Sequence, residues 1–382
     1  MLKKTLSRLS TRQCCSTASS SAPEPVPKPK NNENFTELVN NQYRGKMNYL
    51  NKVLGSCEVN RKRIYEKIIN ERKPLVELIE KKFCIPGRSR LISVGSSATG
   101  LIFDPSSDID LYFFSQLEYL TSELTSEDSR LEPMMIKSFV NLAVPIMIVN
   151  FKFGLSMDIQ LPMSNFQAIR NTNLAKHYVS ADPRFPQVYL YFKRLFEALG
   201  LRNSKGGLLS SYHLMMLTVH FLQCRTMQNP VLPVLCSTHP HRVGPDLPIK
   251  KVLQLIDGSL GEFEIDWKSE NTKTPSQLIV EMIDYYKHFD IKNSVINIGR
   301  GIVTRRKLTK QDKSQLQIFD PYSTMSICKS EYIPDAFSTA IGFIHRKMRA
   351  GMLIDTFPHF PEAVHFRSYA EWKPWIEKLK CI

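Results

Sequence analysis

The stretch from Val94 to Leu111, VGSSATGLIFDPSSDIDL, constrains the fold of this chain more than any other. A glycine and small hydroxyl residues form a tight turn, and two aspartates separated by one isoleucine then open the apolar run Ile109-Asp110-Leu111-Tyr112-Phe113-Phe114. Side chains alternate between the faces of a strand, so Asp108 and Asp110 point one way while Ile109 and Leu111 point into the core. Two neighbouring carboxylates repel each other and raise each other's pKa unless a cation or a proton lies between them. Oxygen donors of this kind suit Mg²⁺, which is held by a few carboxylates together with substrate phosphates. The Gly95-Ser96 turn fits the same picture, because glycine lets backbone N–H groups approach a phosphate and serine adds a hydroxyl donor. By itself an Asp-x-Asp pair is more often a solvated strand end; the spacing around it is what raises its meaning.

A third carboxylate follows. In Leu155-Ser156-Met157-Asp158-Ile159-Gln160-Leu161 the alternation is clean, with Leu155, Met157, Ile159 and Leu161 on one face and Ser156, Asp158 and Gln160 on the other. A lone aspartate on a polar strand face is usually solvated. Joined to the first pair, Asp158 completes the donor set of a two-metal site, in which one ion activates an attacking hydroxyl and the other steadies the leaving group.

The surrounding chain reads as two lobes, since 382 residues exceed the usual single-domain size. Residues 1–33 form a basic leader and linker: Lys3, Lys4, Arg8 and Arg12 are interleaved with leucines and serines, no acidic residue precedes Glu24, and Pro23 to Pro29 is proline-rich. That composition fits a mitochondrial presequence or a disordered basic arm, so cytoplasm and mitochondrion both stay open as locations. Residues 34–84 show helical spacing, through Ile64, Ile68, Leu75, Leu78 and Ile79, and read as packing support. Residues 85–165 read as a strand-rich domain, with a helix over 117–141 between the aspartate strand and an apolar strand from Val144 to Phe153. Residues 166–382 read as helical to the end of the chain. A formal net charge of +15 favours a polyanionic partner such as nucleic acid or a phosphorylated ligand. Eight cysteines without a Cys-x-x-Cys pair indicate neither structural zinc nor a secreted disulfide framework. No apolar run approaches a membrane span, and His239-Pro240-His241 has no ligand partners at metal spacing and reads as a surface turn.

Taken together, Gly95-Ser96, Gly100 and Ser107-Asp108-Ile109-Asp110-Leu111 resemble the signature of the DNA-polymerase-β-like nucleotidyltransferases. In detail they resemble the template-independent RNA nucleotidyltransferases, the divergent poly(A) polymerases and terminal uridylyltransferases. The resemblance implies an α+β, bilobal fold: a mixed β-sheet nucleotidyltransferase lobe with flanking helices, a mostly α-helical poly(A)-polymerase-type lobe, and an active-site cleft between them. It also implies Mg²⁺ or Mn²⁺ at Asp108, Asp110 and Asp158, and a nucleoside triphosphate held by Gly95 and Ser96. Ala168 to Leu174 is similar to the family's ribose-reading segment, which assigns Asn171 and Thr172 to the ribose. Lys193 matches the triphosphate lysine, and Gly207-Leu208-Leu209-Ser210-Ser211-Tyr212 is similar to the segment whose second serine contacts phosphate and whose tyrosine stacks under the base. Asp320-Pro321-Tyr322 resembles the Asp-Pro-Phe element that closes the base pocket, within a poly(A)-polymerase-associated region at about 250–330. Individually each of these residues has an ordinary surface or core reading; their order along one chain makes the set specific.

The chain departs from the family pattern at two places. A second lysine often follows the first by four residues, and here Glu197 stands there, so the triphosphate contacts are expected to be weaker or rearranged. Past Tyr322 the chain runs Ser323, Thr324, Met325, Ser326, Ile327, without the acidic residue common after the aromatic or the histidine that favours uracil. That tilts the expectation toward ATP over UTP, hence toward adenylate addition to the 3′ end of RNA; uridylate or mixed tails are the alternative, and an inactive RNA-binding scaffold ranks last. The basic segment Arg300 to Lys307, with Lys310 and Lys313, reads as a loop able to grip an RNA backbone. No RNA-recognition module lies outside the two lobes, so an RNA-binding partner protein is expected to deliver substrates.

Overall fold

One long helix ties the molecule together. A computed structural model describes residues 34–104, 107–115, 132–139, 145–161, 165–223, 229–258, 263, 265–306, 315–360, 371 and 374. The basic leader, Lys307, Lys310 and Lys313 lie outside the described residues. After α1 (Phe35–Gln42), helix α2 (Arg44–Phe83) runs for 40 residues, about 60 Å at the helical rise. Its first half buries Met47, Leu50 and Leu54 in the largest apolar core, and its second half buries Leu75 and Ile79 against a β-sheet.

That sheet contains β1 (Ser89–Ser93), β2 (Ile109–Ser115), β3 (Pro133–Phe139), β4 (Ile146–Phe151) and β5 (Ser156–Gln160), with a one-turn helix α3 (Gly95–Thr99) between the first two strands. The strand order is β1-β2-β5-β4-β3, antiparallel except for the central β2–β5 pair. One face, made by Ile109, Leu111, Phe113, Met147, Val149, Met157 and Ile159, is sealed by α2. The other face carries Asp110 and Asp158, and beside them Tyr112 packs with Ile169 and Val252. This is the period-two division expected of half-buried strands.

The second lobe comprises α4 (Gln167–Ala181), α5 (Arg184–Ala198), α6 (Ser211–Gln223), the short α7 (Leu235–Thr238) and α8 (Pro240–Val243), then α9 (Ile249–Asp257), α10 (Pro275–His288) and α11 (Ile333–Arg349). Helix α6 is buried at every position from Leu214 to Gln223 and so forms the core of the lobe. Around it, Phe192 and Phe196 of α5 meet Phe337 of α11 at ring separations of 6.3 and 5.5 Å. Helix α10 starts on a capping box, with Thr274 accepting from the backbone of Gln277 and the Gln277 side chain accepting from Thr274 N–H.

Four expectations need correction. Residues 133–139 form strand β3 where a helix over 117–141 was expected; the front of that segment, 116–131, lies outside the described residues. The C-terminal lobe is not helical throughout, because β6 (Ser294–Asn297), β7 (Ile302–Arg305) and β8 (Gln317–Phe319) make a small sheet in the order β7-β6-β8. The Arg300–Arg306 stretch is consequently a turn and strand of a β-hairpin with β6 rather than a loop. His239 and Pro240 enter helix α8 instead of a simple turn, although Pro240 and His241 are exposed as expected.

Candidate active site

The central parallel pair sets the register of the acidic residues. Asp110 of β2 lies directly across from Asp158 of β5, about 4.8 Å away at the usual strand spacing. Asp108 precedes β2 and is exposed. Gly95 explains its own identity: at φ +65° it sits in the left-handed region, and a Cβ there would fall 2.4 Å from an Asp110 carboxylate oxygen. Without that side chain, the turn closes on the strand, and the Ser96 backbone N–H donates to the Asp110 carboxylate.

Burial pushes the Asp110 carboxyl up to about 7, and the negative charges of Asp158 and Asp108 add to the rise; the Ser96 N–H and Arg72 oppose it. Asp158 is raised as well, by burial and then by Asp108, with Lys205 acting in the opposite sense. Such a cluster holds a proton or a cation in place of its missing counter-charge. Among the described residues no three such donors close on one point. An all-carboxylate donor set fits Mg²⁺ or Mn²⁺ and not a soft metal.

Two arginines of α2 brace the site from behind, and neither stood out in the sequence. Arg72 donates to the Ser107 carbonyl and to the Asp108 carbonyl at 3.4 Å, fixing the entry to β2. Arg61 donates to the carbonyl of Gly100, at the far end of the glycine turn, while its other donors engage Glu58 at 2.7 and 2.6 Å. Both are only 6% exposed. The signal was present: Arg61, Ile68, Arg72, Leu75 and Ile79 follow one helical stripe, so the two arginines occupy apolar-face positions.

The acidic residues open onto a cleft of about 760 Å³ between the lobes. Every site residue expected from the sequence lines it except Asp320: Gly95, Ser96, Asp108, Asp110, Asp158, Asn171, Thr172, Lys193, Ser211 and Tyr212. Lys193 reaches in from α5 over the Phe103 ring, 5.7 Å from its centroid. Burial brings its ammonium down to about 8, helped by the positive charge of Arg202 and opposed by Glu197. Ser211 and Tyr212 begin α6. The Tyr212 hydroxyl donates to Asp320 at 3.2 Å, and the same carboxylate oxygen accepts from Gln167 at 3.1 Å. Asp320, 3% exposed, therefore stands behind the tyrosine and orients it instead of facing the cleft.

Asn171 and Thr172 both line the cleft but differ in what their side chains already bond. The Thr172 hydroxyl donates to Ala168 O at 2.7 Å and accepts from Gly95 N–H at 3.1 Å, so it latches α4 to the glycine turn. The Asn171 side-chain oxygen is buried without a partner among the described residues. Further along the chain, Ser323 to Ile327 brings no histidine to the Tyr212 side. His213, next to Tyr212, has both ring nitrogens engaged, with Ser210 N–H at 3.1 Å and Ile327 O at 2.9 Å.

No protein-family model matches the chain. Among curated proteins, Poly(A) RNA polymerase gld-2 of Caenorhabditis elegans is 24% identical over 325 residues, covering 82% of this chain and 28% of that protein. Terminal uridylyltransferase 7 of Homo sapiens is 27% identical over 183 residues, covering 47% of this chain and 12% of that protein. Among solved structures, the GLD-2/RNP-8 complex aligns with a TM-score of 0.61 at 22% identity, over 79% of this chain and 94% of that one. The mtPAP structure in complex with GTP aligns with a TM-score of 0.57 at 17% identity, over 91% and 80%. The fold is that of the two-lobed nucleotidyltransferases. The curated proteins that the chain resembles include GLD-2-type poly(A) polymerases and a terminal uridylyltransferase. The chain spans well under two thirds of the length of these curated relatives.

Proposed function

We propose that the chain is a template-independent RNA nucleotidyltransferase that adds AMP from ATP to the 3′-hydroxyl of RNA. The observation that carries this reading is the direct pairing of Asp110 with Asp158 across parallel strands, closed on one side by Gly95 and opening into the cleft. Residues 85–165 act as the catalytic domain and residues 166–382 complete the nucleotide pocket. Asp108, Asp110 and Asp158 would hold Mg²⁺ or Mn²⁺, which when bound supplies charge stabilisation at the phosphates and activation of the attacking hydroxyl. Lys193, Ser96 and Ser211 hold the triphosphate, the Tyr212 face takes the base, and the buried Asn171 amide meets the ribose. Asp320 keeps the tyrosine ring in place. Adenine is favoured over uracil because His213 is committed to the backbone and Ser323 to Ile327 supplies no other imidazole. The GLD-2/RNP-8 and GLD-2–GLD-3 structures are complexes, and an RNA-binding partner protein is proposed for this chain by that likeness.

Primer extension on a short single-stranded RNA, with Mg²⁺ or Mn²⁺ and each nucleoside triphosphate separately, tests the reading. ATP-dependent tails that vanish in Asp108→Ala and Asp110→Ala are expected. Preference for UTP moves the chain to the uridylyltransferases, and activity retained in the aspartate variants overturns the assignment. Absence of incorporation even with cell extract added would leave the scaffold reading.

A further inference from the structure

Glu197 occupies the position where the family pattern has a second lysine, yet it is not an isolated negative charge in the cleft. Its Oε1 accepts from Arg202 Nε at 3.0 Å and from Arg202 Nη2, while its Oε2 accepts from Arg194 at 3.2 Å. Burial alone would raise the Glu197 carboxyl, but Arg202 and Arg194 hold it below the usual range, so it is ionised. A guanidinium is a rigid planar fork. With its Nε/Nη2 edge fixed by Glu197, Arg202 turns Nη1 toward Ser211, 3.5 Å from the hydroxyl oxygen. Lys193, Arg194, Arg202 and Ser211 all line the cleft, and the carboxylates closest to these three cations are Glu197 and Asp104, with the acidic cluster of Asp108, Asp110 and Asp158 lining the same cleft. Lys193 makes no hydrogen bond or ion pair among the described residues, and its lowered affinity for a proton owes part to the Arg202 charge. A wall with excess positive charge at the start of a 13-residue helix is arranged for an anion.

We infer that Arg202 is the second triphosphate-binding cation of this cleft, supplied by the loop after α5 and aimed by Glu197. The inference rests on the nucleotide-binding reading above and deepens it: the lysine missing at position 197 is replaced from five residues downstream. Glu197 is a positioning residue that touches no substrate. Arg202 donates to phosphate oxygens together with Ser211, through the guanidinium edge that Glu197 leaves open. Its side chain is 36% exposed and packs in no apolar core, so its replacement leaves the fold intact.

The test is calorimetric binding of ATP and of AMP to the full chain without RNA, so that no turnover occurs. Three proteins are compared: the unaltered chain, Arg202→Gln, and Glu197→Gln/Arg202→Gln. Charge-assisted hydrogen bonds to phosphate set the expected scale, a roughly ten- to hundredfold loss of ATP affinity in Arg202→Gln with AMP within about twofold. The double variant, which also removes the carboxylate that has lost its Arg202 partner, is expected to remain weak for ATP. Recovery of ATP affinity in the double variant would overturn the inference, since Arg202 would then serve only to neutralise Glu197. Equal losses for ATP and AMP, or no loss, overturn it too. If the unaltered chain binds no ATP at all, the nucleotide-binding reading falls together with it, which separates that failure from the others.

Discussion

Asp110 shows what a buried carboxylate asks of its surroundings. Its proton is held up to about pH 7 in the fold, whereas the unfolded chain releases it near 3.8. The native state therefore binds the extra proton, and the stability contributed by this site falls as pH rises from about 4 to about 7 and levels off above. Thermal melts of the metal-free protein between pH 5 and 8 should show this decline, and Asp110→Asn should flatten it; an unchanged slope in that variant would place the titration elsewhere. Adding Mg²⁺ should restore stability mainly above pH 7, where the carboxylate is free to bind it. Arg72 supplies a second residue-scale case. Arg72→Leu keeps the apolar contacts of α2 but abandons the carbonyls of Ser107 and Asp108, a cost of about 1–3 kcal/mol. Primer-extension kcat should fall well before the KM for ATP changes, because the residue aligns Asp108 and does not meet the nucleotide. The sequence could flag Asp108, Asp110 and Asp158 because their chemistry shows in local spacing. Arg202 stayed hidden because its role depends on where the loop after α5 folds back, beside Glu197 and Ser211.

Among the elements, α2 has the widest reach. Its lower stripe of Leu75 and Ile79 seals the face of the sheet opposite the carboxylates, with Ile109, Leu111, Met157 and Ile159. Ile79→Ala opens a cavity there and should cost about 2–5 kcal/mol, measured by denaturant unfolding. The loss should exceed that of Val59→Ala, since Val59 is 53% exposed on the same helix. Helical spacing made this element readable. Strand β3 was not readable for a specific reason: it is a sheet edge on which Met134, Met135, Ile136 and Phe139 are all exposed, so no polar and apolar alternation marks its faces. Strands β6, β7 and β8 are four, four and three residues long, too short for a period to emerge.

At the scale of the molecule, the two lobes meet around the glycine turn. Thr172 of α4 accepts from Gly95 N–H, and Arg90 of β1 pairs with Asp257 of α9 at 2.8 Å. Thr172→Val preserves shape but leaves that N–H without its partner. A several-fold, roughly tenfold at most, loss of kcat is expected with little change in the melting transition; a loss confined to the melting transition would make the latch purely structural. The net charge of +15 belongs to this scale as well. RNA affinity should fall steeply and linearly on a log–log plot as salt rises, whatever the RNA sequence, because counterions are released from the backbone. A filter-binding series from low to moderate salt checks it.

By itself the sequence determined the chemistry available and the secondary-structure periods: an acidic pair on one strand face, a third carboxylate on another strand, a glycine turn that tolerates close approach, and enough apolar residues for two lobes. These are local properties, set by side-chain type and by repeats of two or 3.6 residues. Tertiary structure alone decided that Asp110 faces Asp158 across a parallel pair, that Asp320 supports Tyr212 from behind, that Thr172 locks the lobes, and that Glu197 carries an arginine into the cleft. Each of those depends on bringing together residues far apart in the chain or on the path of one loop. Burial, shared hydrogen bonds and the mutual fields of charges arise only once that has happened.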